Sequence, residues 1–137
     1  MRIDRQGMSV LAEDQCFELL DTMQLGRIAL TERALPSVLP VRYARLGDGS
    51  LLFRVGDGTI LRAARMGQIV CFEADSGDHE LRGAWSVTAI GQLTVVDQPD
   101  MLEEAGRIDL VPWSQWSNTF VRLAPEVVNG RRLEPID

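Results

Sequence analysis

Lysine is absent from this chain of 137 residues, and all 14 of its basic residues are arginine. A Schiff base to pyridoxal phosphate needs a lysine amine, so covalent pyridoxal chemistry of that kind is excluded. Histidine occurs once, as His79 in the polar stretch 75–82. No nucleophile motif lies near it, so a Ser-His-Asp relay has no base, and the expectation is an exposed loop residue. Cysteine occurs twice, as Cys16 and Cys71, each in an apolar context. Such residues read as buried free thiols that behave as small hydrophobes. No Cys or His spacing suits a metal. No apolar run reaches the length of about eighteen residues that a membrane span requires. The opening Met1-Arg2-Ile3-Asp4-Arg5 carries acid and no apolar core, which does not fit a signal peptide. A cytoplasmic protein is expected. A net charge of −6 with no basic face argues against a nucleic-acid partner.

What is present is the composition of an ordinary globular chain, 45% hydrophobic and 25% charged. One domain over 1–137, with 1–8 as a loose tail, fits that length. The most regular stretch is Gly83 to Asp97. Trp85, Val87, Ala89, Gly91, Leu93 and Val95 alternate with more polar positions, the two-residue period of a strand with one buried face. About fourteen residues at roughly 3.3 Å each would span some 46 Å, longer than an ordinary strand. Such a strand must bend, and Gly91 is the natural corner. It serves two sheets or closes a barrel.

The remaining elements arrange themselves around it. Ala12 to Met23 predicts a helix, with Cys16, Leu19, Leu20 and Met23 on one stripe. Strands follow over Arg27 to Glu32, Pro36 to Arg45 and Leu51 to Val55, the last two joined by the turn Gly47-Asp48-Gly49. Pro40 cannot donate to a ladder, so it marks an edge, a bulge or the approach of something else. A short helix is predicted over Ile60 to Met66 and a buried strand over Ile69 to Ala74. Pro99 opens a helix to about Arg107. Thr119 to Leu123 and Val127 to Leu133 read as two last strands separated by Ala124-Pro125. Six or seven strands, two or three short helices and no βαβ alternation favour a mainly β fold, an antiparallel Greek-key barrel.

Two features could carry a ligand. In Gly56-Asp57-Gly58-Thr59 a glycine-containing turn runs into a helix, with Thr59 as a hydroxyl donor and Arg54 and Arg62 as cations within reach of a phosphate. The plain alternative is a capped helix with no ligand. The three tryptophans, Trp85, Trp113 and Trp116, are suited to stacking on a flat ligand, filling a core or meeting a partner. Glu103-Glu104 and Asp97/Asp100 read as helix-face or cap carboxylates.

In order and spacing these motifs resemble the pyridoxamine 5'-phosphate oxidase-like family, the flavin-binding split β-barrels, and in particular its small actinobacterial-type branch. The resemblance runs over residues 11–133. It rests on Leu25-Gly26-Arg27-Ile28-Ala29, Ala34-Leu35-Pro36, Pro40-Val41, Phe53-Arg54, Gly58-Thr59 and Phe72-Glu73-Ala74-Asp75. Trp85-Ser86-Val87, Gly91, Val121-Arg122-Leu123, Pro125-Glu126 and Gly130-Arg131-Arg132 complete it. It implies a split barrel of six or seven strands and a homodimer with flavin sites between subunits. It also implies a redox enzyme of unstated substrate using FMN or a deazaflavin coenzyme. Pro40, Val41, Arg42 and Tyr43 would lie along the ring system, while Arg54, Val55, Gly58, Thr59 and Arg62 would take the phosphate. Trp85 would help close the site. The family usually has lysine after Gly-Thr at the phosphate turn, where this chain has Ile60. Loss of one charge-assisted phosphate contact costs about 1.5–3 kcal/mol, roughly ten- to a hundredfold in affinity. Either Arg54 or Arg62 compensates, or the same barrel binds an altered ligand such as heme or another planar molecule, or the phosphate site is degenerate. Oxidation of pyridoxamine phosphate itself is not expected, because no counterpart of the true oxidases' substrate-phosphate residues is found. The exposed edge of the long strand, with the Trp113–Trp116 loop, is expected at or near the dimer contact.

Overall fold

β6 (Trp85–Val95) pairs with one neighbour on each side and draws the sheet into a closed ring. The computed structural model describes residues 2–112 and 114–133. Its strands are β1 (Ser9–Val10), β2 (Leu25–Glu32), β3 (Leu35–Arg45), β4 (Leu51–Val55), β5 (Ile69–Ser76), β6 and β7 (Thr119–Arg132). The order β1-β7-β4-β3-β2-β5-β6 is closed by a second pairing of β7 with β6. Every pairing is antiparallel. The result is a six-stranded barrel with β1 as an extra strand, the mainly β split-barrel class expected. Three short helices decorate it: α1 (Glu13–Leu20), α2 (Thr59–Arg65) and α3 (Pro99–Arg107).

The alternation along β6 is the one read from sequence. Trp85, Val87, Ala89, Gly91 and Leu93 are buried, and the residues between them are not. The bend falls where expected, since the register against β7 shifts between Ile90 and Gly91. A Cβ at Gly91 would lie 1.9 Å from the Ala124 carbonyl oxygen, so only glycine lets the two strands cross there. β7 corrects the expectation of two separate strands. Pro125 stands opposite Gly91, at the shift itself, so its missing N–H falls where the ladder is already broken and the strand continues through it.

The barrel interior is one apolar cluster holding Phe53, Phe72, Leu51, Ile28 and Leu123, all fully buried. α1 plugs one end with Cys16 and Leu20. A satellite cluster under α3 holds Leu46, Leu52, Ala105 and Leu110. Cys16 is a fully buried free thiol, whereas Cys71 is free but only partly buried. Burial raises the pKa of both thiols. The opening residues are tied down rather than loose. Asp4 accepts backbone N–H bonds from Gln6 and Met8 and an ion pair from Arg131 of β7. No helix among the described residues is long and apolar enough to cross a membrane.

Candidate functional site

β3 is only partly covered, and that opens the site. It pairs with β2 over residues 35–42 but with β4 only over 43–45. Past Val55, β4 turns away into Gly56-Asp57-Gly58 and α2. The side of β3 that β4 would have covered is left bare over 35–42, and Pro40 sits there, where it has no N–H to leave unpaired.

A groove of about 330 Å³ fills this gap. Leu39, Pro40, Val41 and Arg42 form one wall, and Arg54 to Ile60 form the other. Ser114 and Ser117, from the loop between α3 and β7, close the rim. That loop is held tightly against the turn: a Cβ on Gly56 would lie 2.9 Å from the Trp116 carbonyl oxygen. Ser114 and Ser117 also bond each other, the Ser114 amide donating to Ser117 Oγ at 3.3 Å.

Seven of the ten residues expected at a ligand site therefore meet here: Pro40, Val41, Arg42, Arg54, Val55, Gly58 and Thr59. Tyr43, Arg62 and Trp85 do not line it. Tyr43 points the other way along β3, into the core, and its hydroxyl donates to the Leu20 carbonyl at 2.5 Å. Burial, with help from the Asp21 charge, raises its pKa far above the ordinary phenol value. Arg62 lies outside the groove, ion-paired to Glu32 at 3.2 Å and donating to Thr59 Oγ1 at 3.2 Å. Trp85 is 9% exposed within the barrel cluster. Trp116 is 73% exposed, and Trp113 lies outside the described residues. The turn Gly56-Asp57-Gly58-Thr59 and Ile60 also line the groove, as the sequence reading of a phosphate turn expects, whereas Leu39, Ser114 and Ser117 were missed as lining residues. For Leu39 the signal existed, in its neighbour Pro40. The serines sit in an irregular loop and gave none.

The electrostatics of the groove are lopsided. Arg54 Nε is buried without a hydrogen-bond partner among the described residues. Its guanidinium carbon stands 5.7 Å from the centre of the Phe120 ring, which props it from behind. Arg42 makes no ion pair or hydrogen bond among the described residues and lies on the groove wall. A buried guanidinium N–H left unpaired costs free energy that an incoming acceptor would recover. Against these cations stands one carboxylate, Asp57. Leu39, Pro40, Val41, Val55 and Ile60 make the rest of the surface largely apolar. The arrangement suits a ligand with a flat apolar body and an anionic end. His79 is 90% exposed on its own loop and plays no part. Among the described residues no group of acidic, cysteine or histidine side chains could hold a metal.

Comparison with known proteins gives the family and the fold. A family model described as pyridoxamine 5'-phosphate oxidase matches residues 12–132. The uncharacterized protein Rv0080 of Mycobacterium tuberculosis is 32% identical over 129 residues, covering 90% of this chain and 84% of the relative. The FAD-binding protein from Mycobacterium smegmatis superposes with a TM-score of 0.78 at 32% identity, covering 91% of this chain and 98% of the other. An FAD-binding protein from Mesorhizobium loti superposes with a TM-score of 0.73 at 25% identity, over 92% and 98% of the two chains.

Proposed function

The chain belongs to the pyridoxamine 5'-phosphate oxidase family, and from that premise we propose that it is a flavin-dependent oxidoreductase whose coenzyme lies in the β3–α2 groove. The observation that carries the reading is Arg54, a guanidinium with an orphaned buried N–H at the edge of an apolar groove. The groove residues fit such a coenzyme: the Leu39–Val41 wall offers apolar contact to a ring system, and Arg54 and Thr59 offer donors to a phosphate. A bound flavin would supply the hydride or electron transfer, FMN, FAD and deazaflavin coenzymes being the candidates. The chain's own contribution is to hold and orient. Arg54 and Arg42 fix the anionic end, the apolar wall excludes water from the ring, and the Ser114–Ser117 rim limits approach from one side. Arg62 is already committed to Glu32, so compensation for the missing turn lysine falls to Arg54.

The active form in this reading is a homodimer. Its support is exposed apolar side chains on the barrel strands, Leu35, Val38 and Ile69 being exposed by 68%, 63% and 60%. Apolar surface of this kind marks an interface, and a two-fold pairing is the common solution. Light scattering at micromolar concentration should return twice the 15.2 kDa chain mass. The coenzyme assignment is tested by titrating the purified protein with riboflavin, FMN, FAD and a deazaflavin coenzyme while following fluorescence. Saturable binding with a dissociation constant below tens of micromolar supports it, and its absence for all four refutes it.

Ile60 favours a second reading, a binding module for another planar molecule such as heme. It is 9% exposed and puts an aliphatic surface where the family's lysine charge would stand. Heme titration monitored by the Soret band separates the two.

A further inference from the structure

The groove contains a carboxylate that the fold does not use. Asp57 is exposed and lines the groove between two glycines of the turn. An aspartate at such a turn ordinarily caps the helix that follows or pairs with a cation. Asp57 does neither among the described residues. No side chain caps α2, and Asp57 pairs with neither Arg42 nor Arg54, although both line the same groove. Its charge also stands where the phosphate is expected. A phosphate monoester brings nearly two negative charges, and like charges there repel. The next position but two, Ile60, offers no cation to offset them.

We propose that a magnesium ion bridges Asp57 to the phosphate of the ligand and takes the place of the missing lysine. This rests on the reading of the groove as a site for a phosphate-bearing flavin. Magnesium is held through one or two carboxylates and the phosphate oxygens of a ligand, and water fills the rest of its shell. One free carboxylate in an open groove is half of such a site. The charge matches as well: two positive charges less the one on Asp57 leave one, the charge of a lysine ammonium. Among the described residues no three acidic, cysteine or histidine side chains gather to hold an ion by themselves. The cation therefore enters and leaves with the ligand. Other donors remain for the oxygens that magnesium does not take. Arg54 Nε is buried without a partner among the described residues. Thr59 Oγ1 accepts from Arg62, so its own proton is left to donate.

The test is flavin fluorescence titration of the purified protein in EDTA and in millimolar magnesium chloride, with sodium chloride matching the ionic strength. Magnesium tightens FMN binding about tenfold, the return of one charge-assisted contact. Riboflavin, which has the ring and no phosphate, stays within twofold. Asp57→Asn keeps the shape of the side chain and abolishes the magnesium effect. In EDTA this variant binds FMN more tightly than the unaltered protein, because the repulsion is gone; a residue needed only to shape the turn would lose affinity in both buffers. Ile60→Lys, which supplies the charge itself, removes most of the magnesium effect. FMN bound no more tightly in magnesium than in EDTA, or a magnesium effect undiminished in Asp57→Asn, overturns the inference while leaving the flavin groove standing. Failure of riboflavin, FMN, FAD and the deazaflavin coenzyme to bind in either buffer overturns the groove assignment and the inference with it.

Discussion

Replacing Ile60 with lysine probes the floor of the groove directly. Ile60 is nearly buried in the barrel cluster yet lines the groove, so a lysine stem can occupy its volume while the ammonium reaches the ligand space. The stem keeps most of the methylene burial, and the lost branched packing costs about 1–2 kcal/mol. For a chain of this size that lowers the melting temperature by roughly 3–10 °C. The gain appears only with a phosphate present. One charge-assisted contact is worth about 1.5–3 kcal/mol, so FMN affinity should rise ten- to a hundredfold. Riboflavin has the same ring and no phosphate, and its affinity should stay within about twofold. Fluorescence titration of both ligands against the two proteins gives the four constants needed. Ile60→Met, which conserves volume without adding charge, should leave all of them unchanged. If FMN and riboflavin shift together, or FMN does not shift, the turn does not face a phosphate and the orientation argued from Arg54 is wrong.

Arg62→Gln should change flavin affinity less than twofold and stability by at most about 1 kcal/mol, because its partner is an exposed Glu32; a tenfold loss of affinity in the titration would place Arg62 in the site after all. Gly91→Ala should lower the melting temperature by roughly 10 °C, since the new Cβ meets strand backbone rather than a side chain that can move; thermal denaturation by circular dichroism within 2 °C of the parent would contradict the crossing described for β6 and β7. Burial opposes ionisation of Asp48, but hydrogen bonds from Ser50 and the Arg122 ion pair outweigh it and hold its pKa at about 2. A folded pKa below the unfolded one stabilises above about pH 4 and is lost as pH falls through 2. Asp48→Asn should therefore be less stable than the parent at pH 7, and melting curves of the two should converge between pH 4 and 2.

The barrel was legible because its longest element obeys a strict period. Trp85 to Leu93 alternates between buried and less buried positions, and Gly91 removes a side chain where the backbone needs room. β7 was split because Pro125 is a stop in any single-strand reading. Only the partner strand shows that the ladder is already broken opposite it. The turn between β2 and β3 was bracketed by the strand bounds at Glu32 and Pro36, but its type was not legible. Arg33 and Ala34 both adopt positive φ, a hairpin geometry that glycine or asparagine normally announces. Within the site, Tyr43 was misplaced because its hydroxyl is claimed by the Leu20 carbonyl, 23 positions away, a contact that only the fold creates. Arg62 is likewise drawn off by Glu32, which lies 30 positions away in sequence and meets it only through the fold.

The place of β7 in the ring has a consequence for how the chain reaches its native state. β7 is the last strand in sequence, and it alone joins β4 to β6 while also carrying β1. Until Thr119–Arg132 has left the ribosome, the earlier strands form at best an open sheet with two free edges and an uncovered apolar face. Those edges are templates for pairing with other chains. Closure then joins residues as much as 72 positions apart, such as Leu51 and Leu123, contacts of the slow-forming, non-local kind. The vulnerable interval in the life of this protein thus falls between completion of β6 and arrival of β7, and loss of β7 would leave a nascent sheet with no route to closure.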